Sequence, residues 1–453
     1  MDICLYRPST GTADAERMPL GLASSRRHLA AARERTAAVA LTVTAIMAFS
    51  GMPAGANDGT WTHQFGTKGL DEAKAVAVDG MGAVYVAGET FGTLPGQTPG
   101  GTLDAFVRKY GASGREDWTR QFGAWERDIA WGVALDRVGA AYVVGQTEGA
   151  LPGQHSAGGW DAFIRKYDPS GAELWTRQFG AGGADIASGV AVHPNGEVSV
   201  VGTTSSALPG QAAAGSFDAF VRRYNATGDE VWTRQFGTAV GDNARRLAAE
   251  PDGRVLIVGS TEGALPGQSS TGGFDVFVAM FQADGQQLWA RQFGSGGDDF
   301  GVAIGTDRSG GISVAGSADR ALSGQTSGTT FLRHFDVGGS VLWTDQFGSG
   351  QSDDAWDVTV EPDGAAYLVG TSEHVLPGQR SFGRLDGFVR KYSLDGREQW
   401  TRQFGTSEDD SALAVALTGG GIAVVGSTRG RLADDAAGEL DAYVMHLSAP
   451  AAP

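Results

Sequence analysis

One cysteine, Cys4, stands in the 453 residues. It has no partner, so a disulfide framework is excluded, and the body of the chain has no thiol for catalysis or for ligating zinc. Positive charge is also scarce: 35 lysines and arginines face 52 aspartates and glutamates, a formal net charge of −17. That balance argues against a nucleic-acid binder and against docking on an anionic membrane, both of which need basic surfaces. No apolar run reaches the ~20 residues of a membrane-spanning helix. His-Glu-x-x-His, Gly-x-Ser-x-Gly and phosphate-cradling glycine loops are all missing. The six histidines after residue 57 read as occupying unrelated positions.

What is abundant is glycine, 70 residues, about twice the usual share. Spread evenly through a chain that is 41% apolar, it points to many short strands and tight turns around a sizeable core. The first 56 residues are different. Arg26, Arg27, Arg33 and Arg35 precede an apolar stretch from Ala37 to about Ser50, followed by Ala54-Gly55-Ala56. This order predicts a secretory signal over 1–56, with translation starting at Met1 or Met18 and the mature chain beginning near Asn57. Ser25-Arg26-Arg27 leaves twin-arginine export open beside the ordinary route. Cys4 is far from the cleavage point, so no lipid anchor follows. The expected location is outside the cell or on its surface, with no membrane-spanning segment in the mature chain.

Everything after residue 57 is repetition. Trp-Thr-x-Gln-Phe-Gly begins at Trp61, Trp118, Trp175, Trp232, Trp289, Trp343 and Trp400, with Ala290 the one replacement of its threonine. The spacing is 57 residues except for one of 54. Seven copies of 57 would fill 399 positions and 397 remain, so the repeat occupies the whole mature chain and leaves no room for a separate catalytic domain. Each repeat holds four strand signals, as in Ala75–Val78, Val84–Gly88, Asp104–Tyr110 and Trp118–Phe122. Asn195-Gly196, Asp252-Gly253 and Asp395-Gly396 mark hairpins between them, so neighbours pair antiparallel. The second and third strands are apolar on consecutive residues, as strands buried on both faces are.

These features predict an all-β fold: one seven-bladed β-propeller over 57–448, with four-stranded antiparallel blades and a short disordered tail over 449–453. The chain opens on a lone fourth strand at Trp61 and ends on a third strand, Asp441–Val444. The N-terminal strand is therefore expected to complete the last blade and close the ring. A linear solenoid is the structural alternative, but it gives no reason for that offset.

Gly-x-x-Tyr-Val-x-Gly-x-Thr at 82–90, followed by Asp-Ala-Phe-Val-Arg-Lys-Tyr at 104–110, is echoed across 57–448. This pattern resembles the bacterial seven-bladed propeller repeat family called SBBP, and more loosely the delta-60 repeats. The resemblance implies a secreted or surface propeller and no particular activity.

Loops joining the fourth strand to the next first strand, and the second to the third, are expected on one face, the default binding side of a rigid scaffold. Two aspartate series recur there: Asp71, Asp128, Asp185, Asp242, Asp299, Asp353 and Asp410, then Asp104, Asp161, Asp218, Asp275, Asp386 and Asp441. Two readings are open. The carboxylates could accept backbone N–H groups and tie loops together. Alternatively, Asp298, Asp299, Asp353, Asp354, Asp409 and Asp410 could bind calcium, although no Asp-x-Asp-x-Asp-Gly loop is present. With the third-strand bases, such as Arg108-Lys109, running toward the other face, an electrically polarised disc is expected.

Residues that differ between blades are better placed for asymmetric binding. At the start of the innermost strand stand Lys74, Trp131, Ser188, Arg245, Val302, Trp356 and Leu413. Trp125, Trp131, Trp356, Lys74 and Arg245 are the candidate ligand contacts. The expected role is a monomeric, non-catalytic binding or scaffold module for an extracellular glycan, peptide or protein, without a cofactor unless calcium binds. A propeller hydrolase or lyase with an acidic, calcium-assisted site at the channel mouth is the alternative, and a structural cell-surface component is a third.

Overall fold

The computed structural model describes residues 60–326, 328–348, 353–433 and 436–448. The expected signal over 1–56 and the tail over 449–453 lie outside the described residues. Among the described residues all regular structure is strand, and the strands gather into seven four-stranded sheets with antiparallel neighbours. Blade 1 runs outward through Asp71–Val78, Val84–Thr90, Asp104–Tyr110 and Glu116–Phe122. The innermost strands of blades 1 to 7 are Asp71–Val78, Asp128–Leu135, Asp185–Val192, Asp242–Ala249, Asp299–Thr306, Asp353–Val360 and Asp410–Thr418. Each packs beside the innermost strands of both neighbours, the last against the first. The fold is a seven-bladed β-propeller, as expected, and the solenoid is excluded.

Closure takes the expected form. Blade 7 supplies Asp410–Thr418, Gly421–Thr428 and Asp441–Ser448, and Trp61–Phe65 adds the outermost strand, paired from Trp61↔His446 to Phe65↔Ala442. The core is a series of layers between blades. Val86, Phe106 and Tyr110 of blade 1, for example, meet Ala423, Val425 and Val444 of blade 7. This is why Asp104–Tyr110 is buried along its whole length.

The hexapeptide fastens each blade to the next. Trp118 Nε1 donates to the Pro169 carbonyl of blade 2 (3.1 Å) and Arg120 Nε to the Gly171 carbonyl (2.7 Å). The indole lies so close over Gly171 that a Cβ there would meet it at 2.7 Å, and φ of +82° at that residue also requires glycine. Trp175 and Trp232 repeat the clamp on the carbonyls of Ala226 and Ala283. Within the blade, Thr119 Oγ1 accepts from Arg108 Nε (2.8 Å), while Phe122 meets Phe163 of blade 2 edge-on at 5.6 Å between centroids.

Every innermost strand carries a bulge at one position, flanked by Ala73/Ala75 in blade 1, Ala130/Gly132 in blade 2 and so on to Ala412/Ala414 in blade 7. The second strand accommodates it with a glycine. A Cβ at Gly202 would lie 1.8 Å from the Ile186 carbonyl oxygen.

Candidate functional site

The loop-side motifs are occupied in holding the fold. Asp128 is fully buried and its carboxylate accepts the Ala124 N–H at 2.7 Å; Asp185, Asp242, Asp299 and Asp410 do the same four residues back. The second series works with the hexapeptide glutamine. Gln121 Nε2 donates to Asp104 Oδ2 and to the Gly92 carbonyl, both at 2.6 Å, and its Oε1 accepts the Leu94 N–H at 2.9 Å. Gln97 Oε1 accepts the Gln121 N–H in return (3.1 Å), so Leu-Pro-Gly-Gln is the partner of the hexapeptide glutamine. In blade 7, where that tetrapeptide is missing, Gln64 binds Asp441 and the N–H groups of Leu432 and Ala433 instead. Blade 5 has Thr329 in place of the aspartate, and its hydroxyl donates to the Asp353 carbonyl.

The six acids named for calcium are likewise engaged. Asp299 and Asp410 hold backbone N–H groups, and Asp298 accepts from Phe274 N at 3.1 Å. Ser372 donates to Asp353, Ser317 donates to Asp354 at 3.1 Å, and Asp409 faces Arg384 and Arg429 at 3.5 and 3.8 Å. Among the described residues no three histidine, cysteine, aspartate or glutamate side chains gather where a metal could bind.

The bulge takes one residue of each blade out of the strand register, and here the blades differ. Lys74 is held by Glu72 and Glu89 at 2.5 and 3.1 Å and lies over the Trp131 ring of blade 2, 4.7 Å from its centroid. Burial works against the ammonium, but the two carboxylates outweigh it and hold the Lys74 pKa above the ordinary lysine value. Trp131 Nε1 donates to Gln146 Oε1 (3.0 Å) and Trp356 Nε1 to Thr371 Oγ1 (3.1 Å). Gln146 and Thr371 hold matching second-strand positions, so the two indoles are held alike in blades 2 and 6. Both rings are partly exposed, as is Arg245. Ser188, Val302 and Leu413 are buried, and the Ser188 hydroxyl donates to the Ala244 carbonyl at 2.6 Å. Trp125 is the most exposed aromatic of the set at 71%, lying against Gly149 in the loops outside this ring. Lys74 and Trp131 are thus brought together; Trp356 is separated from them by blade 7 and part of the ring.

The hairpin side corrects two expectations. The third-strand bases are not surface charge: Arg108, Lys109, Arg165, Lys166, Arg222 and Arg223 are buried, as are the loop-side aspartates. Burial and pairing remove the polarised disc. Nor are the histidines all unrelated. His334 and His446 take the place of Lys109, opposite Ser313 and Ala423 as Lys109 is opposite Tyr85. His193, fully enclosed with Arg223 Nη2 at 2.8 Å, has its pKa lowered to about 4 by burial and by the guanidinium. Ser313, His334 and Asp307 form a serine–histidine–aspartate group, but Ser313 has no exposed surface and contacts Nδ1 at 3.0 Å, so it serves packing.

Two residues escape the sequence reading. Arg246 and Asp357 follow the bulge in blades 4 and 6, where the other five blades carry glycine or alanine. Superposing the repeats on the Asp71 series would have singled them out.

Fold and site together define a seven-bladed propeller whose repeated residues fasten the ring and whose varied residues lie at the bulges of the innermost strands. No family model matches the chain. It is 27% identical over 336 residues to the regulatory protein FlaEY of Caulobacter vibrioides, covering 72% of this chain and 32% of that one. The chain therefore spans about a third of the length of the curated relative it matches. Among solved structures it is similar to the Pan2 WD40 domain of Neurospora crassa, with 11% identity, 83% of this chain and 89% of that one covered, and a TM-score of 0.46. It is also similar to the propeller domain of the Trilobed protease of Pyrococcus furiosus, with 7% identity, coverage of 80% and 93%, and a TM-score of 0.44.

Proposed function

We propose that this chain is a secreted or cell-surface binding module of the SBBP repeat type, exported by the signal over 1–56, acting as a monomer and gripping a glycan, peptide or protein at the channel mouth. One observation carries the reading. The bulge positions Lys74, Trp131, Ser188, Arg245, Val302, Trp356 and Leu413 differ chemically from blade to blade, whereas the repeated loop residues are engaged in the fold. A partly exposed indole offers a flat apolar face that can stack on a sugar ring or an aromatic side chain. Trp131 and Trp356 offer two such faces, with Lys74, paired to Glu72 and Glu89, beside the first; Arg245 holds the same position in blade 4, and Trp125 is exposed in the loops.

Glycan-array binding by the purified protein, with and without calcium, tests this. The double substitution Trp131→Ala and Trp356→Ala should lower the signal at least tenfold while leaving the melting temperature within a few degrees. Binding that survives the pair, or that is lost on changing Asp252 and Asp363 in the opposite hairpins, places the site elsewhere. Hydrolysis of a bound glycan would favour the enzyme reading.

A further inference from the structure

The third strand of blade 4 ends on Ala279-Met280-Phe281, where that of blade 3 ends on Arg222-Arg223-Tyr224. The first of these positions is arginine in blades 1, 2, 3, 5 and 6, and in each the hexapeptide threonine accepts from its Nε at 2.8 Å. The same guanidinium lies over the hexapeptide phenylalanine of the preceding blade, between 3.6 and 4.2 Å from the ring centroid. In four of the five, a glutamate of the outermost strand completes the pairing at 3.4 to 3.6 Å. Blade 7 has Met445 at this position, buried in one cluster with Phe404.

Blade 4 loses the whole arrangement. Arginine, threonine and glutamate become Ala279, Ala290 and Gln287, the first two directly opposite each other in the ladder. Ala279 has nothing to lay over the Phe236 ring of blade 3. What remains is a cavity of about 170 Å³ walled by Phe236, Leu265, Ala279 and Ala290 and bordered by the exposed Pro266 and Gln287. Phe236 keeps its other contacts, edge-on to Phe277 at 5.9 Å and tilted against Phe281 at 5.3 Å, much as Phe179 meets Phe220 and Tyr224. The ring is therefore held in its ordinary place with the space beside it already open. Close-packed interiors leave few voids larger than a water, so the cavity stands out in a repeat that fills this place elsewhere.

The three replacements agree in chemistry, because cation, hydroxyl and carboxylate go together and only the neutral amide of Gln287 is left at the border. A guest cation would find the ring but neither of the acceptors that hold the arginines. A ring contact alone does not offset stripping water from a cation. A neutral guest gives up little hydration and gains apolar contact on several sides. Apolar cavities of this size admit benzene-sized molecules. We propose that this cavity binds a neutral single-ring aromatic molecule, laid on the face of Phe236 that a guanidinium covers in the other blades. One polar substituent, such as a phenolic hydroxyl, can meet the Gln287 amide. The cavity is built on outer strands and the proposed glycan surface on the innermost ones, so neither reading depends on the other.

Calorimetric titrations and thermal melts of the purified protein with phenol, toluene, methylguanidinium and glucose test the assignment. Phenol and toluene should saturate at one molecule per chain and raise the melting temperature. Methylguanidinium and glucose should bind at least tenfold more weakly. Ala279→Met gives blade 4 the residue that blade 7 already has, and should weaken phenol and toluene binding at least tenfold. Filling the space should leave the melting temperature without ligand no lower than that of the parent. The triple variant Ala279→Arg, Gln287→Glu and Ala290→Thr rebuilds the arrangement of blade 3 and should lose binding in the same way. The proposal fails if neither ring binds the intact protein, or if both filled variants bind as the parent does. It also fails if methylguanidinium binds as tightly as phenol, which would make the cavity a cation site.

Discussion

At the scale of single residues, the polar letters of the hexapeptide find partners outside their own strand in blades 1 to 3, whereas the Trp61 indole nitrogen is buried without one. Tryptophan and arginine take carbonyls of the next blade's hairpin, and glutamine takes the Leu-Pro-Gly-Gln loop and an aspartate. Trp232, 9% exposed and bonded to the Ala283 carbonyl at 2.8 Å, is the most enclosed of the seven. Trp232→Ala should cost about 3–5 kcal/mol in a denaturant or thermal melt; a loss under about 1 kcal/mol would show that the ring is not part of the packing. The buried aspartates carry a pH signature. Burial raises Asp128 to about 7 and Asp299 and Asp410 to about 6, against ~3.9 in an unfolded chain. The fold then keeps protons that the unfolded chain has released, so their contribution is greatest below about pH 4 and fades as pH rises to about 7. His193 acts oppositely, because its pKa of about 4 withdraws stability as pH falls through ~6.5. Three carboxyls outweigh one imidazole, so the melting temperature should decline from pH 5 to pH 8. Asp128→Asn should flatten that decline by about 1–3 kcal/mol. A variant that follows the parent at every pH would mean that Asp128 is charged in the fold.

The strands were legible to different depths. Their number and order follow from the 57-residue spacing and the paired turn residues, and their double-sided burial follows from unbroken apolar runs such as Ala105-Phe106-Val107. The bulge of the innermost strand was not legible. It is a property of the backbone, visible only in the register, and its sequence trace is the glycine it needs in the neighbouring strand, Gly88 or Gly202, which also reads as ordinary repeat punctuation. The histidines were misread for a plainer reason. The 54-residue spacing before Trp343 and the short Thr418–Gly421 hairpin shift the count, so His334 and His446 look unrelated until each is referred to the tryptophan it faces, Trp343 and Trp61. The varied position at the bulge was legible as a series. That Lys74 would rest on Trp131 depends on blade geometry that no spacing carries.

For the whole molecule, the decisive contact joins the two ends of the chain. Among the described residues, Trp61–Phe65 supplies the only strand paired with the outer edge of Asp441–Ser448 in blade 7. Deleting residues 57–66 should leave an unpaired edge, and the product should aggregate or melt well below the parent. An unchanged melting temperature would mean that the ring holds without this strand. The same contact sets how the protein responds to load. The two closing strands are antiparallel, with Trp61 beside His446, so forces applied at the two chain ends meet at the same end of the ladder. Tension would open its hydrogen bonds one after another, as a zip opens, rather than shearing all of them together. A propeller tethered by both termini should therefore yield at its closing blade at low force, while the other six blades, whose four strands are continuous in the chain, are still folded.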